Sequence, residues 1–162
     1  GPPVEITNPP DGLSEARPSP TPTSSNRRSV YLFARRIYPL KFLEIFDAPI
    51  MPVNCTQRTN SATVLQSLAV LNSEFLFVQS EAMALRISEA AGPDIEPCVR
   101  LGFRIVYARQ PTEKELATST AFLAEQELGY RAADGGAGKS RQRALADFCQ
   151  MLLSSSEFLY VE

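Results

Sequence analysis

The chain has 162 residues, 44% of them apolar, with 16 basic and 18 acidic groups for a formal charge of -2. That is one domain's worth of chain and enough for one hydrophobic core, with no charge surplus pointing to nucleic acid or an anionic membrane surface. Histidine is absent, which excludes His-based zinc sites and Ser-His-Asp or Cys-His catalysis. No apolar run approaches the ~20 residues of a membrane span, and no signal peptide is visible at the start, which opens Gly-Pro-Pro like a piece of something longer.

Residues 1–26 hold seven of the 13 prolines, interleaved with Ser and Thr. Such a segment buries too little apolar surface to offset its ordering entropy, so it reads as a linker or an extended arm. The globular part is expected over residues 27–162. SVYLFARRIYP spaces Val30, Phe33, Ala34 and Ile37 for a helix with a buried seam, ended by Pro39. A short helix over Leu40–Phe46 follows, closed by Asp47-Ala48-Pro49. Residues 49–60 read as a loop.

The long segment from Thr59 predicts two helices. Leu65, Leu68, Ala69 and Leu71 mark the core face of the first; Phe75, Val78, Ala82, Leu85 and Ile87 mark that of the second. Asn72 is the expected N-cap between them, and Gly92-Pro93 ends the second. Asp94 caps a further helix with Ile95, Val99, Phe103 and Val106 on its inner stripe. Thr112-Glu-Lys-Glu115 is a capping box, opening a helix through Leu116 and Leu123. Residues 133–140, ADGGAGKS, read as a flexible surface loop without phosphate-loop spacing. A last helix carries Ala144, Leu145, Phe148, Leu152 and Leu153, and SSSEFLYVE ends in a turn or a short tail. The fold class is therefore all-α, a compact domain of about six helices behind a proline-rich arm.

The polar candidates are few. Six basic and two acidic residues lie between Arg27 and Arg58. Guanidinium forks suit carboxylates, phosphates and sulfates, so Arg28, Arg35, Arg36 and Arg58 are candidates for an anion site, or for ion pairs that pin the Asp47 turn. Asp47, Cys55 and Arg58 are the weak catalytic candidates, since a nearby arginine lowers a thiol's pKa. Cys98 and Cys149 fall in apolar patterns and read as small buried hydrophobes. No metal site or cofactor motif is present.

Five motifs in order, RRSVYLFARR, FLEIFDAP, CTQRTNSATVLQSLAVLNSEF, RIVYARQPTEKEL and LLSSSEFLYVE, resemble the DUF1553 (PSD1) domain family of large secreted planctomycete-type proteins. The resemblance runs over nearly all of residues 27–162 and singles out Tyr31, Asp47, Pro49, Gln66, Asn72, Thr112 and Glu115 as structural motif positions. The family commonly has glycine where this chain has Ala108, so Ala108 is expected to stay helical. The resemblance implies an extracytoplasmic structural or interaction domain at the end of a modular protein, with neighbouring domains as partners. It also implies, as alternatives, binding of anionic polysaccharide or an accessory part in a polysaccharide-degrading hydrolase.

Overall fold

In a computed structural model, the structure describes residues 6–7, 17–18, 28–31, 41–47, 63–134 and 137–160. The chain divides into two units, Gly1–Gln66 and Ser67–Glu162.

The described residues of the first unit form short elements. Ile6–Thr7 (β1) and Arg17–Pro18 (β2) pair antiparallel within the proline-rich arm. Ser29–Tyr31 is one 3₁₀ turn, closed by Tyr31 N–H donating to the Arg28 carbonyl at 3.0 Å. Val30 there is 77% exposed, against the expected seam. Phe33, Ile37 and the rest of that predicted helix lie outside the described residues. Helix α1, Lys41–Ile45, matches its expectation closely, and Phe42 packs against Phe46 just beyond it, with ring centres 5.1 Å apart and the rings tilted by 41°.

From residue 63 onward the chain is helical: α2 (Val64–Leu71), α3 (Glu74–Ala91), α4 (Ile95–Tyr107), α5 (Glu113–Asp134), α6 (Ala137–Leu153) and α7 (Ser156–Leu159). With α1 this makes seven α-helices among the described residues, one more than the spacing suggested. The predicted loop over 133–140 is nearly absent. Helix α5 runs to Asp134, α6 starts at Ala137, and Ser140 is fully buried. The terminal tail is helical too, because Ser155 Oγ accepts the Phe158 N–H and caps α7.

Helix α6 is the hub of the second unit, packed on α3, α5 and α4. Its inner residues Ala144, Leu145, Phe148, Cys149 and Leu152 form one cluster with Ala84, Ile87, Cys98, Val99, Phe103 and Leu123. Gly102 makes the α4–α6 crossing possible. A Cβ there would meet Phe148 Cε1 at 2.9 Å and Leu152 Cδ1 at 3.2 Å. Cys98 and Cys149 are free and fully buried. Burial pushes the Cys149 thiol up to about 12, so it stays protonated and unreactive at neutral pH.

Helices α2 and α3 turn the unexpected face inward. Leu76, Ser80, Ala84 and Ile87 are the buried positions of α3. Ser80 and Ala84 are small, which lets α6 come close, and Ser80 Oγ donates to the Leu76 carbonyl at 2.8 Å so that no polar group is orphaned. Of the stripe expected in the core, Phe75, Val78, Ala82 and Leu85 face outward, and Ile87 alone is buried. In α2, Leu65, Leu68 and Leu71 are exposed, while Gln66 and Val70 are buried.

Candidate functional site

Among the described residues, the polar constellation with the most internal bonding lies where α4 ends, α5 begins and α7 packs beside them. Helix α4 stops at Tyr107, and Ala108 takes a left-handed conformation (φ 56, ψ 21). This corrects the expectation that Ala108 stays helical. The αL residue reverses the chain at the C-cap, a place usually given to glycine. The reversal brings Arg109 back over its own helix, with its guanidinium 5.4 Å from the ring centres of both Phe103 and Tyr107.

From there Arg109 reaches two carboxylates. Nη1 and Nη2 donate to Glu115 at 2.9 and 2.7 Å; Nε and Nη2 donate to Glu157 at 2.7 and 2.8 Å. Nη1 also donates to the Gln110 carbonyl at 3.1 Å. Glu115 is fixed from its other side by the predicted capping box. Thr112 N–H donates to Glu115 Oε2 at 2.7 Å, and Thr112 Oγ1 accepts from Glu115 N–H at 3.3 Å. A second link runs alongside. Tyr107 O–H lies 2.8 Å from Ser155 Oγ and 3.2 Å from the Leu152 carbonyl, and Ser155 in turn donates to that carbonyl at 2.9 Å.

The electrostatics follow from these bonds. Arg109, then the Thr112 amide and hydroxyl, hold the Glu115 carboxyl at about 2, and Arg109 likewise lowers Glu157. The two carboxylates raise Arg109 further above its already high value. Burial raises the Tyr107 phenol. Every one of these groups is locked in its ordinary neutral-pH charge state, and the arginine fork is already occupied by carboxylates. The arrangement joins the α4–α5 turn to α7; it offers no poised base, nucleophile or open anion cradle.

A shallow groove of about 260 Å³ lies between α3, α5 and α6, bordered by Phe77, Glu81, Tyr130, Arg143, Asp147 and Gln150. Three of its polar side chains engage one another, while Gln150 Nε2 donates to the Leu71 carbonyl at 3.3 Å. Tyr130 O–H donates to Asp147 at 2.7 Å, and Arg143 sits 5.8 Å over the Tyr130 ring. Among the described residues no three His, Cys, Asp or Glu side chains converge as a metal site would need.

The residues singled out in the sequence fall as follows. Arg35, Arg36, Pro49, Cys55 and Arg58 lie outside the described residues. Arg28 is exposed beside the 3₁₀ turn, and Tyr31 is at the end of that turn. Asp47 ends α1 in a left-handed conformation (φ 56), with its N–H donating to the Glu44 carbonyl at 3.1 Å. Asp tolerates that region better than most residues. Gln66 is buried, donates to the Ile45 carbonyl at 2.9 Å, and accepts from Thr63 N–H at 3.2 Å. Thr63 Oγ1 returns the bond to Gln66 N–H at 3.4 Å, a second capping box that the sequence reading passed over in TVLQ. Asn72 is not the cap of α3. Ser73 Oγ holds that place, accepting the Leu76 N–H, while Asn72 Nδ2 donates back to the Leu68 carbonyl of α2. Asp94 stands at the N-cap of α4 without a side-chain cap bond.

Sequence reasoning missed Arg109 and Glu157, which are 48 residues apart and tied by no spacing rule. The only signal was that both sit inside motifs of the resemblance, RIVYARQPTEKEL and LLSSSEFLYVE.

These features define a protein that is helical from α2 onward and whose most densely bonded polar site, among the described residues, is a structural clasp. The PSD1 model, described as a protein of unknown function (DUF1553), matches residues 1–123, and the chain belongs to that family. No curated protein matches the chain, and no solved structure does. The family match takes in the proline-rich arm and stops inside α5. The motif resemblance instead begins at Arg27 and continues into α7. Helix α6, which supplies the centre of the core, falls beyond the match.

Proposed function

We propose that this chain is a structural and docking domain of a modular extracytoplasmic protein. The observation that carries the reading is the outward stripe of α3, where Phe75, Val78 and Leu85 are each about half exposed on a helix whose other face fills the core. An apolar stripe left outside on a well-packed helix is a place for another polypeptide surface. The clasp supports the same reading, since its charges are spent on holding helix ends together. The resemblance to large secreted modular proteins supplies the extracytoplasmic setting and the neighbouring domains. Among the described residues no helix is long and apolar enough to cross a membrane.

The test is covalent footprinting of the α3 side chains at about 1 µM, in this chain alone and in a longer parent polypeptide. Phe75, Val78 and Leu85 are expected to be labelled in the first and protected in the second. Equal labelling in both would remove the docking role.

A further inference from the structure

We infer that a small cavity bordered by α4, α5 and α6 is the binding site of one ordered water, which accepts from Arg141 Nη2 and donates to Glu127 Oε2. Among the described residues, Arg141 Nη2 and Ser154 Oγ are the buried side-chain polar atoms that no protein group satisfies. Of the two, the guanidinium N–H is the costlier to leave unmade, because it carries part of a positive charge. Arg141 itself is only partly buried, so its other nitrogens can reach solvent while Nη2 turns inward.

The space beside Arg141 has the right size. A cavity of about 10 Å³ is walled by Ile95 at the start of α4, Leu123 and Glu127 on α5, and Arg141, Ala144 and Leu145 on α6. That is about the room one water needs.

The two polar walls are of opposite kinds. Arg141 only donates, and a carboxylate only accepts. Glu127 keeps 18% of its side-chain surface exposed, and its Oε1 accepts from Arg131 Nη2 at 2.7 Å. No described residue bonds its Oε2. A chloride ion would satisfy Arg141 but face the Glu127 charge, and a sodium ion would do the reverse. Water alone among species of that size both accepts and donates, so it serves both walls at once.

The water makes Glu127 the common acceptor of two arginines, directly for Arg131 and through the water for Arg141. It ties α5 to α6 beside the first residue of α4, whereas the clasp lies beyond the last.

The experiment joins water–methyl NOE spectra of this chain to a high-resolution crystal structure grown with bromide in place of chloride. Long-lived water NOEs are expected at the methyl groups of Ile95 and Leu145. One density peak is expected at about 2.6–3.2 Å from both Arg141 Nη2 and Glu127 Oε2, without bromide's anomalous signal. Arg141→Met keeps the apolar stem and removes the donor, and should abolish the NOEs with the helical spectrum unchanged. Should that variant lose helix, Glu127→Leu removes the acceptor instead and should abolish the same NOEs. Absence of the NOEs from the wild type, or their survival at full strength in both variants, overturns the site. So does a bromide peak in the cavity, or a Glu127 side chain bonded directly to Arg141.

Discussion

The core around Phe148 and the clasp around Arg109 join the same helices by opposite means. Phe148 is fully buried, touches no water, and gains from dispersion and lost apolar surface. Arg109 and Glu115 keep about a third of their side-chain surface exposed, so their charges act partly through solvent. The core decides whether α3, α4 and α6 assemble. The clasp decides the path of the chain where α4 turns into α5 and where α7 docks.

The largest break should come from the core side. Phe148→Ala removes a ring held between Gly102, Phe103 and the rest of α6, and is expected to cost about 3–5 kcal/mol by urea unfolding. A cost below about 1 kcal/mol would mean the α4–α6 contact is not the centre of stability.

The opposite change at the same crossing should cost less. Gly102→Ala gains helix propensity, but its methyl collides with a ring that has no room to retreat. A net loss of about 1–2 kcal/mol is expected, together with a shifted near-ultraviolet signal from Phe148. A stabilised variant would show that α4 and α6 can move apart freely.

The clasp should register as an acid limb. The Glu115 carboxyl sits at about 2, below its ordinary 4.5, so its contribution is complete above about pH 4.5 and disappears as pH falls toward 2. With about a third of the side chain exposed to solvent, the contribution should be on the order of 1 kcal/mol. Stability measured for wild type and Arg109→Gln should differ by that amount at pH 7 and converge in that window. A constant difference from pH 7 to pH 2 would show that Arg109 matters through its packing on Phe103 and Tyr107 alone.

The smallest expected effect is a gain. Ala108 holds φ 56, where a side chain is strained, and Ala108→Gly should stabilise the protein by about 0.5–1 kcal/mol despite glycine's freer unfolded state. The gain belongs to the clasp's turn, so it should raise the unfolding midpoint while leaving the Glu115 acid limb in place.

How much of this was legible beforehand differs by feature. The helix start at Thr112–Glu115 was readable, and so was the stop at Gly92, where φ is 76; the box at Thr63–Gln66 and the cap at Ser73 were not. The inner residues of α4 and α6 were readable because each of those helices carries one clear apolar stripe. Helix α3 carries two. One holds Phe75, Val78, Ala82 and Leu85, the other Leu76, Ser80, Ala84 and Ile87, and the sequence reading favoured the first, with Ile87 added from the second.

The amino-acid order by itself determined the helical class, most helix limits and the Thr112–Glu115 capping box, because these rest on backbone propensity and hydrogen bonds spanning three or four residues. Only the tertiary structure decided which stripe of α3 goes inside, because that choice belongs to the close approach of α6, which Ser80 and Ala84 permit and Phe75 would block. It alone decided that Ala108 turns left-handed and that Arg109 meets Glu157. Those outcomes depend on the ends of α4, α5 and α7 arriving at one place, and no interaction between near neighbours along the chain carries that information.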